Sequence, residues 1–91
     1  MKKISIDNFI REVNGKAGVM HLFLSKAHFF TKLYFVEAAI FEKCLMVGNS
    51  DNNFLIACNQ IKSISRCDDS GDSTEYEIRT ANKGIILLEV A

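Results

Sequence analysis

Five side chains in this sequence have the chemistry to hold a transition metal or to run nucleophilic catalysis: His21, His28, Cys44, Cys58 and Cys67. Their successive spacings are 7, 16, 14 and 9 residues. Structural zinc sites draw their ligands in close pairs, C-x2-C or H-x3-H, so that one turn presents two donors. No such pair occurs here, so no metal is expected, and the cysteines read as reduced, buried apolar side chains with His28 an imidazole on an exposed loop. Cys58-Asn59 with either histidine is only an inventory, because a nucleophile must be held against a base and the base against an orienting group. G-x-S-x-G, Walker and dinucleotide fingerprints are missing from the sequence. Asn14-Gly15-Lys16-Ala17-Gly18 has the glycines and lysine of a phosphate loop but neither its spacing nor a preceding strand. Asp68, Ser70 and Asp72 match positions 1, 3 and 5 of a calcium loop, but Ser73 stands where its glycine belongs and Arg79 where its bidentate glutamate belongs. That segment is expected to be a solvated acidic loop, Asp68 to Ser73. No catalytic, cofactor-binding or metal-ligating residue is assigned. A non-enzymatic protein is expected, since small closed barrels rarely enclose the ~300 Å³ that a ligand pocket needs.

The elements that would carry these residues follow from periodicity. Ile6, Phe9, Ile10 and Val13 make one helical stripe, with Ser5 as N-cap, Asp7 in the first turn and Asn14-Gly15 as the stop. A short helix over 5–14 is therefore expected. Met20, Leu22 and Leu24 alternate as a strand. Lys26 to Lys32 is expected as a connection and Leu33 to Val36 as a strand running on toward Ala39. A buried helix over 27–43 is the rival, opposed by the aromatic and β-branched content and by polar residues scattered around its wheel. Phe41 to Gly48 and Phe54 to Cys58 read as strands around the turn cluster Asn49 to Asn53. A single 3₁₀ turn follows near Asn59–Lys62, then a short strand from Ser63 to Cys67. Thr74 to Thr80 alternates with Tyr76 and Ile78 inward, and Ile85 to Val90 is the last strand. The expectation is α+β and mostly β: one domain over 1–91, with the helix followed by a five- to seven-stranded antiparallel meander across 19–90.

The 54–66 segment, a strand ending in a tight turn and re-entering as a short strand, is similar in layout to SH3-like and Sm-like small barrels. The helix ahead of the strands adds to that similarity, which covers about half the chain. It implies a small barrel or strongly bent sheet. The chain carries no RNA-contacting signature of the Sm family.

Composition bounds the partners. The chain has 91 residues, 48% hydrophobic, with 11 basic against 11 acidic side chains. A neutral chain is neither a polybasic nucleic-acid binder nor a basic membrane-surface peptide. Charge is uneven, however: residues 1–43 carry a net +3 and residues 44–91 a net −3. Lys2, Lys3, Arg11, Lys16, Lys26 and Lys32 are a possible basic face, which keeps a small-barrel RNA binder acting as an oligomer as the second expectation. A small Cys/His enzyme or metal protein is the third. Asp7, Arg11 and Glu12 interrupt any signal-peptide core, and Lys26, Lys32, Glu37, Glu42 and Lys43 cut the most apolar stretch. A cytoplasmic location without membrane contact is expected. Phe, Tyr, Met, Ile, Asn and Lys account for 37 residues and Gly, Ala, Arg and Pro for 15. By codon composition that ratio suits an AT-rich genome, such as a low-GC bacterium or its phage.

The leading expectation rests on aromatics. Phe23, Phe29, Phe30, Tyr34, Phe35 and Phe41 fall within nineteen residues. Successive strand residues point to opposite faces, so one member of Phe29-Phe30 and one of Tyr34-Phe35 is expected outside. The inner face is expected to be filled by Leu22, Leu24, Ile56, Ile78 and Leu87. Exposed aromatics of that number call for a cover, and a second copy is the simplest. The chain is thus expected to be an interaction module that self-associates, binds a protein partner, or both, as a small inhibitor or accessory protein would.

Overall fold

Ser5 starts the helix as its chemistry requires, its hydroxyl accepting the Asn8 N–H at 3.1 Å. In the computed structural model, which describes residues 2–91 apart from the side chains of Asp69 and Ser70, α1 spans Ile6–Val13 and buries Phe9 and Val13. Its exit is tied to the strands by Asn14. That amide donates to the carbonyls of Ile10 and Ala38 and accepts the Ala38 N–H, each at 2.9 Å. One side chain thus imitates a neighbouring strand for the edge of β4. Gly15, at φ +82°, donates to the Val36 carbonyl, and Val36 donates to Lys16.

The described residues form nine strands: β1 Lys2–Lys3, β2 Gly18–Leu24, β3 Ala27–Leu33, β4 Glu37–Phe41, β5 Cys44–Gly48, β6 Asn53–Ala57, β7 Ile61–Ser70, β8 Ser73–Thr80 and β9 Ile85–Val90. They make a six-stranded sheet, in the order β1-β7-β8-β9-β2-β3, and a three-stranded sheet, β4-β5-β6. Every pairing is antiparallel. The chain passes between sheets at the bend 34–36 and at the 3₁₀ turn Cys58–Gln60. Alternate residues of both sheets meet inside: Met20, Ile64, Tyr76, Ile78, Ile86 and Leu88 from the larger, Ala38, Leu45 and Val47 from the smaller, with Leu33 and Val36 at the bend. The helix joins this core through Phe9, whose ring meets Tyr76 edge-on at 5.5 Å.

The mostly-β class, the capped helix and the inward Tyr76 and Ile78 hold as expected. The expected five- to seven-stranded meander is instead nine strands in two sheets among the described residues, because the 3₁₀ turn and the bend after β3 pass the chain from one sheet to the other, and several boundaries move. Residues 27–33 are a strand and 34–36 the bend, the reverse of the expected order, and the rival helix does not form. The expected strand 41–48 is split by Glu42 and Lys43, both at positive φ, 48° and 65°, as a two-residue hairpin loop needs. The acidic segment is mostly ladder: β7 runs on to Ser70 and pairs it with Ser73. The calcium-type spacing there involves Ser70, which lies outside the described side chains. Leu87 is on the outer face, because Ile86, Leu88 and Val90 take the inward positions of β9. Leu24 is exposed, since it closes a hairpin that runs past the core. Among the described residues no helix is long and apolar enough to cross a membrane.

Candidate interaction surface

The β2–β3 hairpin turns on Ser25-Lys26, and its register pairs Leu22 with Phe29 and His21 with Phe30. β3 is the last strand of its sheet, so its far side has no strand beside it. Phe29 and Phe30 are 55% and 56% exposed, and at the bend Tyr34 and Phe35 are 86% and 58% exposed. The expected half-in, half-out division therefore fails, and all four rings are open. The reason is position. Phe29 does share the core-facing side with Leu22, but β3 lies at the sheet's rim and the opposing wall stands back. Tyr34 and Phe35 sit in a bend, where strand alternation no longer applies. The Phe35 ring lies over Gly15, whose added Cβ would stand 3.8 Å from it.

That set-back wall leaves a groove of about 350 Å³ beneath β3, floored by Met20 and Leu22 and walled by Phe54 and the turn Asp51–Asn53. A space of this size was not expected from a small closed barrel. It opens because β3 and the β5–β6 turn belong to different sheets and share no ladder.

On the other side of the same hairpin lies an aromatic cluster. His28 stacks on Phe23 at 4.4 Å and against His21 at 5.1 Å, and Phe30 meets His21 edge-on at 5.0 Å. His21 Nδ1 and His28 Nε2 are 2.9 Å apart, so one ring donates a hydrogen bond that the other accepts. His28 is thus a strand residue in a stacked pair, not the expected loop imidazole. Leu87 continues this outer face beside His21, and Ile85 beside Phe23. Cross-strand diagonals bring the two histidines together, a contact hidden until the hairpin register is known.

The basic residues do not share one element. Lys2 and Lys3 lie on β1 and Lys32 on β3, at opposite edges of the six-stranded sheet, with Lys26 at the hairpin turn. Arg11 bonds Asn8 along the helix, and Lys16 follows the helix exit. Cys44, Cys58 and Cys67 are half-buried, on β5, the 3₁₀ turn and β7. Among the described residues no group of three or more His, Cys, Asp or Glu side chains is placed to hold a metal ion.

One polar cluster lies away from the aromatic edge, where the helix meets the large sheet. Arg66 Nη1 donates to Glu12 Oε1 at 2.7 Å, and the Tyr76 hydroxyl donates to the same oxygen at 2.9 Å. Arg66 also pairs with Asp68 at 3.1 Å. Partial burial opposes the Glu12 charge, but the hydrogen bonds from Arg66 and Tyr76 and the Arg66 charge outweigh it, holding the carboxyl below its usual value of 4.5. Burial, then the bond to Glu12, raises the Tyr76 phenol well above 10.0. A lowered carboxyl pKa stabilises the fold fully above about pH 4.5, and that contribution fades as pH falls through the folded value. A raised phenol does the opposite: its contribution is complete below about pH 10 and fades above it. In melting curves across pH 3–7, Glu12→Gln should melt below the parent chain at neutral pH. The gap should narrow as pH drops under about 4.5, and a constant gap would exclude the charged pair as its source.

Comparison of the chain with protein-family models, with curated proteins and with solved structures finds no match.

Proposed function

We propose that this protein is a non-enzymatic interaction module that works as a self-associated pair, its contact surface being the aromatic edge formed by β3 and the bend after it. The observation that carries this is the exposure of two adjacent aromatic pairs, Phe29-Phe30 on an edge strand and Tyr34-Phe35 in the bend that follows it. Each leaves roughly 100 Å² or more in water. Together they approach the ~400–600 Å² that a monomer rarely leaves bare. A stable pair buries about 800 Å² per partner, and on the outer side the cluster around His21 and Leu87 continues from Phe30. Stacked imidazole and phenyl rings form a contact surface and bring no nucleophile with a base. In this reading the two sheets are an opened small barrel, hinged at the bend and at the 3₁₀ turn.

Light scattering at about 100 μM should give twice the chain mass. Phe30→Glu should give a monomer with little change in melting, because an unpaired carboxylate buried in the contact costs several kcal/mol. A parent chain that is monomeric at that concentration would refute the proposal.

A further inference from the structure

The contact has a specific form. Resting on the self-association reading, we propose that two copies join by antiparallel pairing of their β3 edges about a two-fold axis at Phe29, making one continuous sheet.

The hairpin register sets which backbone groups are available. Leu24 and Ala27 flank a two-residue loop and pair directly, so they exchange both hydrogen bonds of a close pair. Alternation along the ladder then turns the N–H and C=O of Phe29, Thr31 and Leu33 toward β2. Those of His28, Phe30 and Lys32 point to the free edge.

Side chains select strand addition over face packing. β3 is apolar on both faces, with Phe29 on the groove side and Phe30 on the outer side, each more than half exposed. A partner laid on one face covers one of them. A strand added at the edge extends both faces and covers both. Natural edge strands commonly prevent this with inward charges, Pro or bulges. Residues 27–31 contain none of these, and their pairing with β2 is regular throughout.

Two-fold symmetry leaves few registers, since edge-facing residues must oppose one another. An axis at Phe30 sets His28 against Lys32, and an axis at Thr31 sets Phe30 against Lys32. An axis at Phe29 places no charged residue within its five rungs. Phe29 then faces Phe29 of the second copy as a non-hydrogen-bonded pair, and His28 faces Phe30 of the second copy on the outer side. Lys26 and Lys32 meet only beyond the last rung, in water, where like charges cost little. The groove beneath β3 has room for the incoming Phe29 ring. The neutral, self-complementary edge is why the second copy is the occupant.

A disulfide reads the register directly, because non-hydrogen-bonded pairs bring Cα atoms to about 4.5 Å, within bridging range. Phe29→Cys and Thr31→Cys would each be oxidised mildly, and the linked peptides identified by mass spectrometry against the parent chain with its native cysteines. We expect a 29–29 link in Phe29→Cys, at least tenfold more abundant than any 31–31 link in Thr31→Cys. His28→Pro is the second variant: its N–H faces the free edge, so proline removes an inter-copy donor and leaves the β2 ladder intact. It should be monomeric and still melt cooperatively, its midpoint lowered by the lost His28 contacts with His21 and Phe23. A parent dimer without the 29–29 link, or a His28→Pro chain that is still dimeric, overturns edge pairing and leaves self-association standing. A monomeric parent overturns both.

Discussion

Phe9→Ala should lose about 3–5 kcal/mol of unfolding free energy, the cost of emptying an aromatic site in a closed core. The Phe9 side chain is fully buried and meets Tyr76 edge-on. A helix of eight residues has no stability of its own in water, so its presence depends on this contact. The backbone cannot collapse into the vacancy, because the exit is tied by the Asn14 amide to Ala38 and by Gly15 to Val36. A domain of this size has only about 5–15 kcal/mol in all, so the variant should lose a large share of its stability. Urea melts measure the loss. A value under about 0.5 kcal/mol would show that the helix is not docked in the free protein. It would then be a detachable element, and the edge strand would not be the sole contact surface.

Gly48→Ala should be nearly as damaging, by roughly 2–5 kcal/mol, from backbone strain and overpacking together. Gly48 has φ +140°, where side chains are strained, and an added Cβ would stand 2.1 Å from the Asn52 carbonyl oxygen and 2.6 Å from the Asn53 Cα. Both obstacles are backbone, so no rotamer relieves them. The turn they belong to is braced by Asn49, whose side-chain oxygen accepts the N–H groups of Asp51 and Asn52. Gly71→Ala is the control: φ is +75°, but nothing lies within 4 Å of the new Cβ. Its cost should be about 1 kcal/mol, the conformational penalty alone. Equal losses in the two variants would show that the Gly48 clash is relieved by movement of the turn. Because that turn is one wall of the groove beneath Phe29, such movement would also reshape the contact surface.

The hydrophobic period and the punctuating residues were enough to read α1, β2, β8 and β9 from the sequence. Ser5, Asp7, Asn14 and Gly15 delimit the helix by local chemistry, and Thr74–Thr80 alternates because one face is core and the other water. These are signals within a few residues, where a chain's preferences are not yet contested. The aromatic stretch was legible as a surface feature, but its layout was not. Residues 26–36 set Lys26, His28, Thr31 and Lys32 among adjacent aromatic and aliphatic residues without strict alternation, and such a run carries no phase. Strand and bend were therefore interchanged there.

The phase came from pairing partners distant in sequence. Leu87 looked as fit for the core as Leu88, and only its position opposite His21 on β2 turned it outward. Both histidines were visible in the sequence as an unmatched pair seven residues apart, and a two-residue hairpin loop brought their nitrogens to 2.9 Å. Glu12 made no motif with Arg66 and Tyr76, because the more than fifty residues separating it from each are closed only when the helix seats on the sheet. What the sequence determined by itself was the class, the helix and the presence of more aromatic surface than the core can take. Which rings stay outside, and along which strand edge, was decided by the tertiary structure: exposure belongs to the sheet order that puts β3 at the rim, not to any residue's own preference.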